Sequence, residues 1–134
     1  MNPSHPTPRA LPLVLAALLG ACTSPPRGAR PAEVEHVVLV WLKDPKDQAT
    51  LDRMVATARS FPDKIPGFVS FSVGTPLPSE RDVVDDSFSV ALVMRFRDAA
   101  ALRDYEAHPV HVLAVQELLV PNAAKFLIYD VLAR

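Results

Sequence analysis

The 134-residue chain holds one cysteine, Cys22, so it forms no internal disulfide and cannot alone build a zinc site that needs two thiolates. It has no excess of either charge: 14 Lys and Arg stand against 15 Asp and Glu, and the sequence pI is about 6.4. That balance excludes an electrostatic binder of nucleic acid. Glycine is scarce, with only Gly67 and Gly74 beyond residue 32. The acid-rich stretch with Glu80, Asp82, Asp85 and Asp86 therefore lacks a glycine-containing calcium-loop spacing and reads as a solvated loop. The apolar run Leu11 to Ala21 falls short of the roughly 20 residues a membrane-spanning helix needs. The length suits one domain.

Proline, by contrast, is plentiful and uneven: half of the 14 lie at or before Pro31. Arg9 followed by the uncharged run 11–21 has the form of a secretory signal peptide. The run ends in Leu19-Gly20-Ala21-Cys22, which resembles the bacterial lipobox, where small residues admit a peptidase and the thiol accepts a diacylglyceryl group. Residues 1–21 are accordingly read as a lipoprotein signal peptide, with Cys22 the lipid attachment point. Two or three acyl chains would hold such a protein firmly, each buried CH₂ being worth ~0.8 kcal/mol. Thr23 in place of Asp after the cysteine suggests, for lipoproteins of this kind, the outer membrane facing the periplasm. Residues 22–32 form a Pro-rich tether, and residues 33–134 the domain.

Within the domain, Val34 to Leu42 is a β-branched and aromatic run apolar on both faces, a strand covered on two sides. Asp44-Pro45 fits an N-cap and first helical position, and Leu51, Met54, Val55, Ala58 and Phe61 recur at helical spacing up to Pro62. Phe68 to Gly74 alternates, with Val69, Phe71 and Val73 expected on one face. Ser87 to Phe96 alternates too, with Phe88, Val90, Leu92, Met94 and Phe96 on one side. Asp98 caps a short helix through Tyr105 that breaks at His108-Pro109. A second helical piece ends before Pro121, and Ala124 to Leu132 is a last strand apolar on both faces. The order β-α-β-β-α-β predicts an α+β, ferredoxin-like fold with a four-stranded antiparallel sheet. Helices on one side leave an apolar second face, which a symmetric homodimer would bury, face to face, as a dimeric α/β barrel.

Several segments resemble the Dabb family, the stress-responsive α/β-barrel domain. They are Val34-Glu35-His36-Val37-Val38-Leu39, Ile65-Pro66-Gly67-Phe68, Phe96-Arg97-Asp98, Tyr105-Glu-Ala-His108-Pro109-Val-His111 and Phe126-Leu127-Ile128-Tyr129-Asp130. The resemblance implies a dimeric barrel with a cleft between each sheet and its helices. Members include plant stress proteins and a polyketide cyclase that closes a poly-β-keto chain by aldol chemistry. Its catalytic histidine and tyrosine match His111 and Tyr105, and a further pocket histidine matches His36. A histidine near the start of the enzyme's third strand has no counterpart around Phe88, so the resemblance does not carry the cyclase's substrate or activity over to this chain.

The chemistry of these residues suits that comparison. Imidazole, with an ordinary pKa near 6.5, takes a proton alpha to a carbonyl at neutral pH, and a tyrosine hydroxyl in a dry pocket holds the enolate oxygen. Each residue also has a structural reading: His108 as a cap before Pro109, His36 as a strand-end hydrogen-bonder, His111 as either. His108 and His111 are three apart but lack a third ligand nearby, so no metal and no cofactor is expected; His5 lies in the leader. Three functions follow: a membrane-anchored domain binding a small apolar or aromatic molecule in the cleft, an aldol cyclase or lyase with His111 as base and Tyr105 as hydroxyl donor, or a structural, stress-related dimer without ligand. Trp41 and Phe71 are the aromatics expected to decide whether the cleft is open.

Overall fold

A computed structural model of the chain describes residues 32–134. The signal peptide, Cys22 and nearly all of the tether lie outside these residues. Four strands form one antiparallel sheet in the order β2-β3-β1-β4, with β1 at Val34–Leu42, β2 at Phe68–Gly74, β3 at Val90–Phe96 and β4 at Ala123–Leu132. This is the expected ferredoxin-like sheet. Burial along β1 alternates at every residue: Val34, His36, Val38, Val40 and Leu42 are buried against the helices, while Glu35, Val37, Leu39 and Trp41 face the other way. Antiparallel partners share a face, so the register extends that division to Met94 and Asp130 beside His36, and to Val93 and Tyr129 beside Val37. Among the described residues, no helix is long and apolar enough to cross a membrane.

The helices are α1 (Gln48–Arg59), α2 (Phe61–Lys64), α3 (Ala99–Ala107), α4 (Pro109–Ala114) and α5 (Val120–Asn122), with a π-helical turn at Val115–Leu119 between the last two. Asp47, not Asp44, caps α1, accepting from the Thr50 amide at 3.0 Å. Asp44 instead accepts from the Lys46 amide at 2.9 Å, so Asp44-Pro45 makes a turn before the helix. Pro62 does not end the helical path: Ser60 closes α1 and Pro62 sits in the first turn of α2, where its missing N–H costs nothing. Pro121 is likewise accommodated. Its ring would clash with the carbonyl four residues back, and the wider π turn, with Val120 N–H bonding the Val115 carbonyl, relieves that contact. The Asn122 side chain then donates to the Leu118 carbonyl at 2.7 Å.

Two strand expectations also shift. A register irregularity between Phe68 and Ser70 turns Phe68 inward beside Phe96 and leaves Val69 half-exposed, so the inner face of β2 is Phe68, Phe71 and Val73. β3 begins at Val90 because the Ser89 hydroxyl takes the Leu42 amide at 3.0 Å in place of a ladder bond. Phe88 leaves the inner face and stands edge-on to Trp41, ring centroids 6.5 Å apart.

The core lies between the sheet and α1–α3, with Met94 and Phe96 fully buried. At its β2 end, Phe68, Phe96 and Tyr105 pack ring against ring, centroids 4.8–5.4 Å apart. Gly67 enters β2 with φ +107°, and a Cβ there would meet the Ala101 Cβ at 3.3 Å, which fixes glycine at the α3–β2 contact.

Candidate active site

The opposite, β4 end of the same layer is not filled. The helices stop short of the edge strand, leaving Phe126 and Ile128 on the inner face of β4 about half-exposed. Between them and α1, α3, α4 and the π turn lies a cavity of about 210 Å³. Its walls are apolar, among them Val38, Val40, Met54, Leu92 and Leu118, with polar groups gathered at His36, Tyr105, Glu106 and His111. Neither Trp41 nor Phe71 fills it. Trp41 belongs to the outer face, under the Lys125 ammonium at 4.2 Å, and Phe71 packs on Phe68.

The three residues singled out by sequence come together here. His36 is buried on β1, and its Nδ1 lies 2.5 Å from Oδ1 of Asp130, its register partner on β4. A carboxylate accepts, so Nδ1–H donates, and Nε2 is left without a hydrogen-bond partner among the described residues. His111, in the first turn of α4, has Nδ1 at 3.0 Å from the Glu106 carbonyl. A carbonyl oxygen also only accepts, so in His111 too Nε2 is the free, basic nitrogen. Burial holds its pKa below the ordinary histidine value, an effect that the Glu106 carbonyl bond partly opposes and the neighbouring His36 reinforces. The neutral form, the one a base requires, is thereby favoured at neutral pH.

Tyr105 packs against His111 with ring centroids 4.3 Å apart and against His36 at 5.9 Å. Burial, with a smaller contribution from the Glu106 carboxylate, pushes its hydroxyl pKa well up, so it stays a hydrogen-bond donor. No bonding partner within the described residues claims that hydroxyl, and it is not sealed from the cavity. A donor hydroxyl and two imidazoles with free Nε2 atoms thus border one apolar chamber. His108 is apart from this group: it caps α4, accepting from the Val110 amide at 3.3 Å.

Two acids were not singled out from sequence. Asp130 stands alone as a charged residue inside an apolar strand segment, a visible signal, yet only the β1–β4 register reveals that it meets His36. Glu106 follows Tyr105 directly, and its position on α3 turns it toward the cavity. No metal was expected; the donor atoms of His36, Glu106 and Asp130 nonetheless lie within 4.8 Å of one another. Such a mixed nitrogen–oxygen set suits a divalent cation, although the hydrogen bond to Asp130 competes for Nδ1 of His36.

The family model for the Stress responsive A/B Barrel Domain (Dabb) matches residues 34–133. Among solved structures, a Dabb family protein with a ferredoxin-like fold from Mesorhizobium loti is 26% identical, with a TM-score of 0.64 over 77% of this chain and 98% of its own. A dimeric protein of ferredoxin-like fold and unknown function from Bacteroides fragilis is 21% identical, with a TM-score of 0.63 over 75% and 96%. The hydroxynitrile lyase from Passiflora edulis is 20% identical, with a TM-score of 0.68 over 78% and 95%. No curated protein matches the chain.

Proposed function

The chain belongs to the Dabb family, the stress-responsive A/B barrel domain, and on that premise we propose that it binds a small apolar or aromatic molecule in the cavity between sheet and helices. The observation that carries this reading is the 210 Å³ chamber, apolar-walled and polar at one end. An apolar cavity of roughly 150 Å³ already takes benzene. The test is calorimetric titration with indole. One site per chain is expected, lost in Ala114→Phe, which fills the chamber from its partly exposed wall; binding that survives this substitution, with the fold intact by circular dichroism, overturns the reading.

A second reading, base catalysis of the aldol cyclase or lyase type, is favoured by one specific observation: the Glu106 carbonyl fixes Nδ1–H of His111 and leaves Nε2 free on a ring packed against that of Tyr105. Nε2 would take the α-proton of a β-dicarbonyl, and Tyr105 would donate to the enolate oxygen. Deuterium exchange at the central carbon of benzoylacetone, followed by NMR, should fall about 10²–10⁴-fold in His111→Ala if a general base is lost. Exchange equal to that in buffer alone removes this reading and leaves the binding one.

The same proposal includes two assembly statements. The chain pairs as a homodimer through the open apolar sheet face, a reading supported by the dimeric ferredoxin-like relatives. It is anchored to the bacterial cell envelope, at the outer membrane facing the periplasm, by acylation of Cys22, a reading supported by the Leu19-Gly20-Ala21-Cys22 sequence. Metabolic labelling with a palmitate analogue, present in the natural chain and absent in Cys22→Ser, tests the anchor.

A further inference from the structure

The polar end of the chamber carries acids and no compensating cation. Glu106 lines it from α3, and Asp130 stands behind His36 on β4, while no lysine or arginine lines the cavity among the described residues. The arginines and lysines nearest in the sheet are committed elsewhere: Arg95 pairs with Glu35 on the outer face, and Lys125 sits over Trp41. Glu106 itself makes no ion pair among the described residues. Whichever protonation state His36 takes, it neutralises at most one of the two carboxylates, so the end stays net negative. Both carboxylates are exposed to solvent, so this charge sits at the mouth of the chamber, beside the apolar walls and not deep among them.

From this arrangement, and resting on the cavity-binding reading, we propose that the ligand is an amphiphilic amine: an aromatic or alkyl body in the apolar chamber and an ammonium group held by Glu106 and the acceptor nitrogens around it. The ammonium offers three donors and no acceptor. His111 Nε2 and the Glu106 carboxylate are acceptors, and His36 Nε2 joins them when its ring is neutral, so the ammonium finds partners at this end. A carboxylate ligand meets the reverse situation: like charge at Glu106, with hydroxyls such as that of Tyr105 as its donors.

The test is titration of the full chain, carrying Cys22→Ser so that no acyl group competes, with 2-phenylethylamine, 2-phenylethanol and phenylacetate. These share a ring and a short arm and differ in the head. The amine should bind about tenfold tighter than the alcohol, the gain of a charge-assisted over a neutral hydrogen bond, and phenylacetate should be the weakest. Glu106→Gln should bring amine and alcohol close together, and Glu106→Asp should preserve their order. Glu106 is exposed on its helix, and an unchanged unfolding temperature verifies that both variants fold. Phenylacetate equal to or tighter than the amine, or an amine preference untouched by Glu106→Gln, overturns the proposal while leaving cavity binding in place. If none of the three binds while indole does, the amine proposal alone falls; if indole also fails, the cavity reading falls with it.

Discussion

The two faces of the sheet are built from the same alternating strands, yet they solve burial differently. On the inner face, Val34, Val40, Met94 and Phe96 are covered by the chain's own helices to within a few per cent of complete burial. On the outer face, Val93, Leu127, Tyr129 and Val131 form an apolar band that remains 37–52% exposed, rimmed by Arg95 with Glu33 and Glu35 and by Lys125 over Trp41. The band is contiguous and charge-bordered, the pattern of a surface that awaits a partner rather than of scattered surface apolar residues. One face is finished by the chain's own helices and stabilises the fold; the other is the face that the proposed homodimer would bury.

That contrast breaks first at Phe96. Phe96→Ala removes a fully buried ring from the aromatic cluster and should cost roughly 3–5 kcal/mol in a denaturant titration. Leu127→Glu, on the outer face, should leave monomer folding nearly untouched and weaken self-association at least about 100-fold, because it buries an unpaired charge at the interface. Sedimentation equilibrium reads that change, and a tight dimer in Leu127→Glu would show that the outer band is not the interface. Gly67→Ala tests the inner face more gently: positive φ and the close Ala101 Cβ should destabilise by about 1–3 kcal/mol, measured by thermal unfolding.

The smallest effect is the pH dependence of the cavity end. Burial lowers the folded-state pKa of His111, so the unfolded chain binds its proton first as pH falls. Stability should therefore decline as pH drops below the unfolded histidine value near 6.5 and level off below the lowered folded value, with no contribution above it. His111→Gln should flatten this part of the profile.

The sequence made the inner face and the topology legible, because alternation and helical spacing are local and the hydrophobic period is long enough to read. It failed where a single backbone event reset the pattern. Val69 was expected inward beside Phe71, but the irregularity after Phe68 moves it out by one position, something no alternation count detects. Pro121 was expected to end a helix, and a π turn carries the chain past it. At the site, His36, Tyr105 and His111 were named through family resemblance. Asp130 and Glu106 were not, since an acid's role depends on which side chain it meets across the sheet or the cleft. That meeting is a property of register.

The His36–Asp130 hydrogen bond joins residues 94 positions apart, from the first strand to the last. It therefore cannot form until nearly the whole domain has left the ribosome. Without β4 there is no chamber, because one wall, one acid and the partner that orients His36 all lie on that strand and arrive together at the very end of synthesis. The proposed binding site is thus completed in one late step rather than assembled gradually.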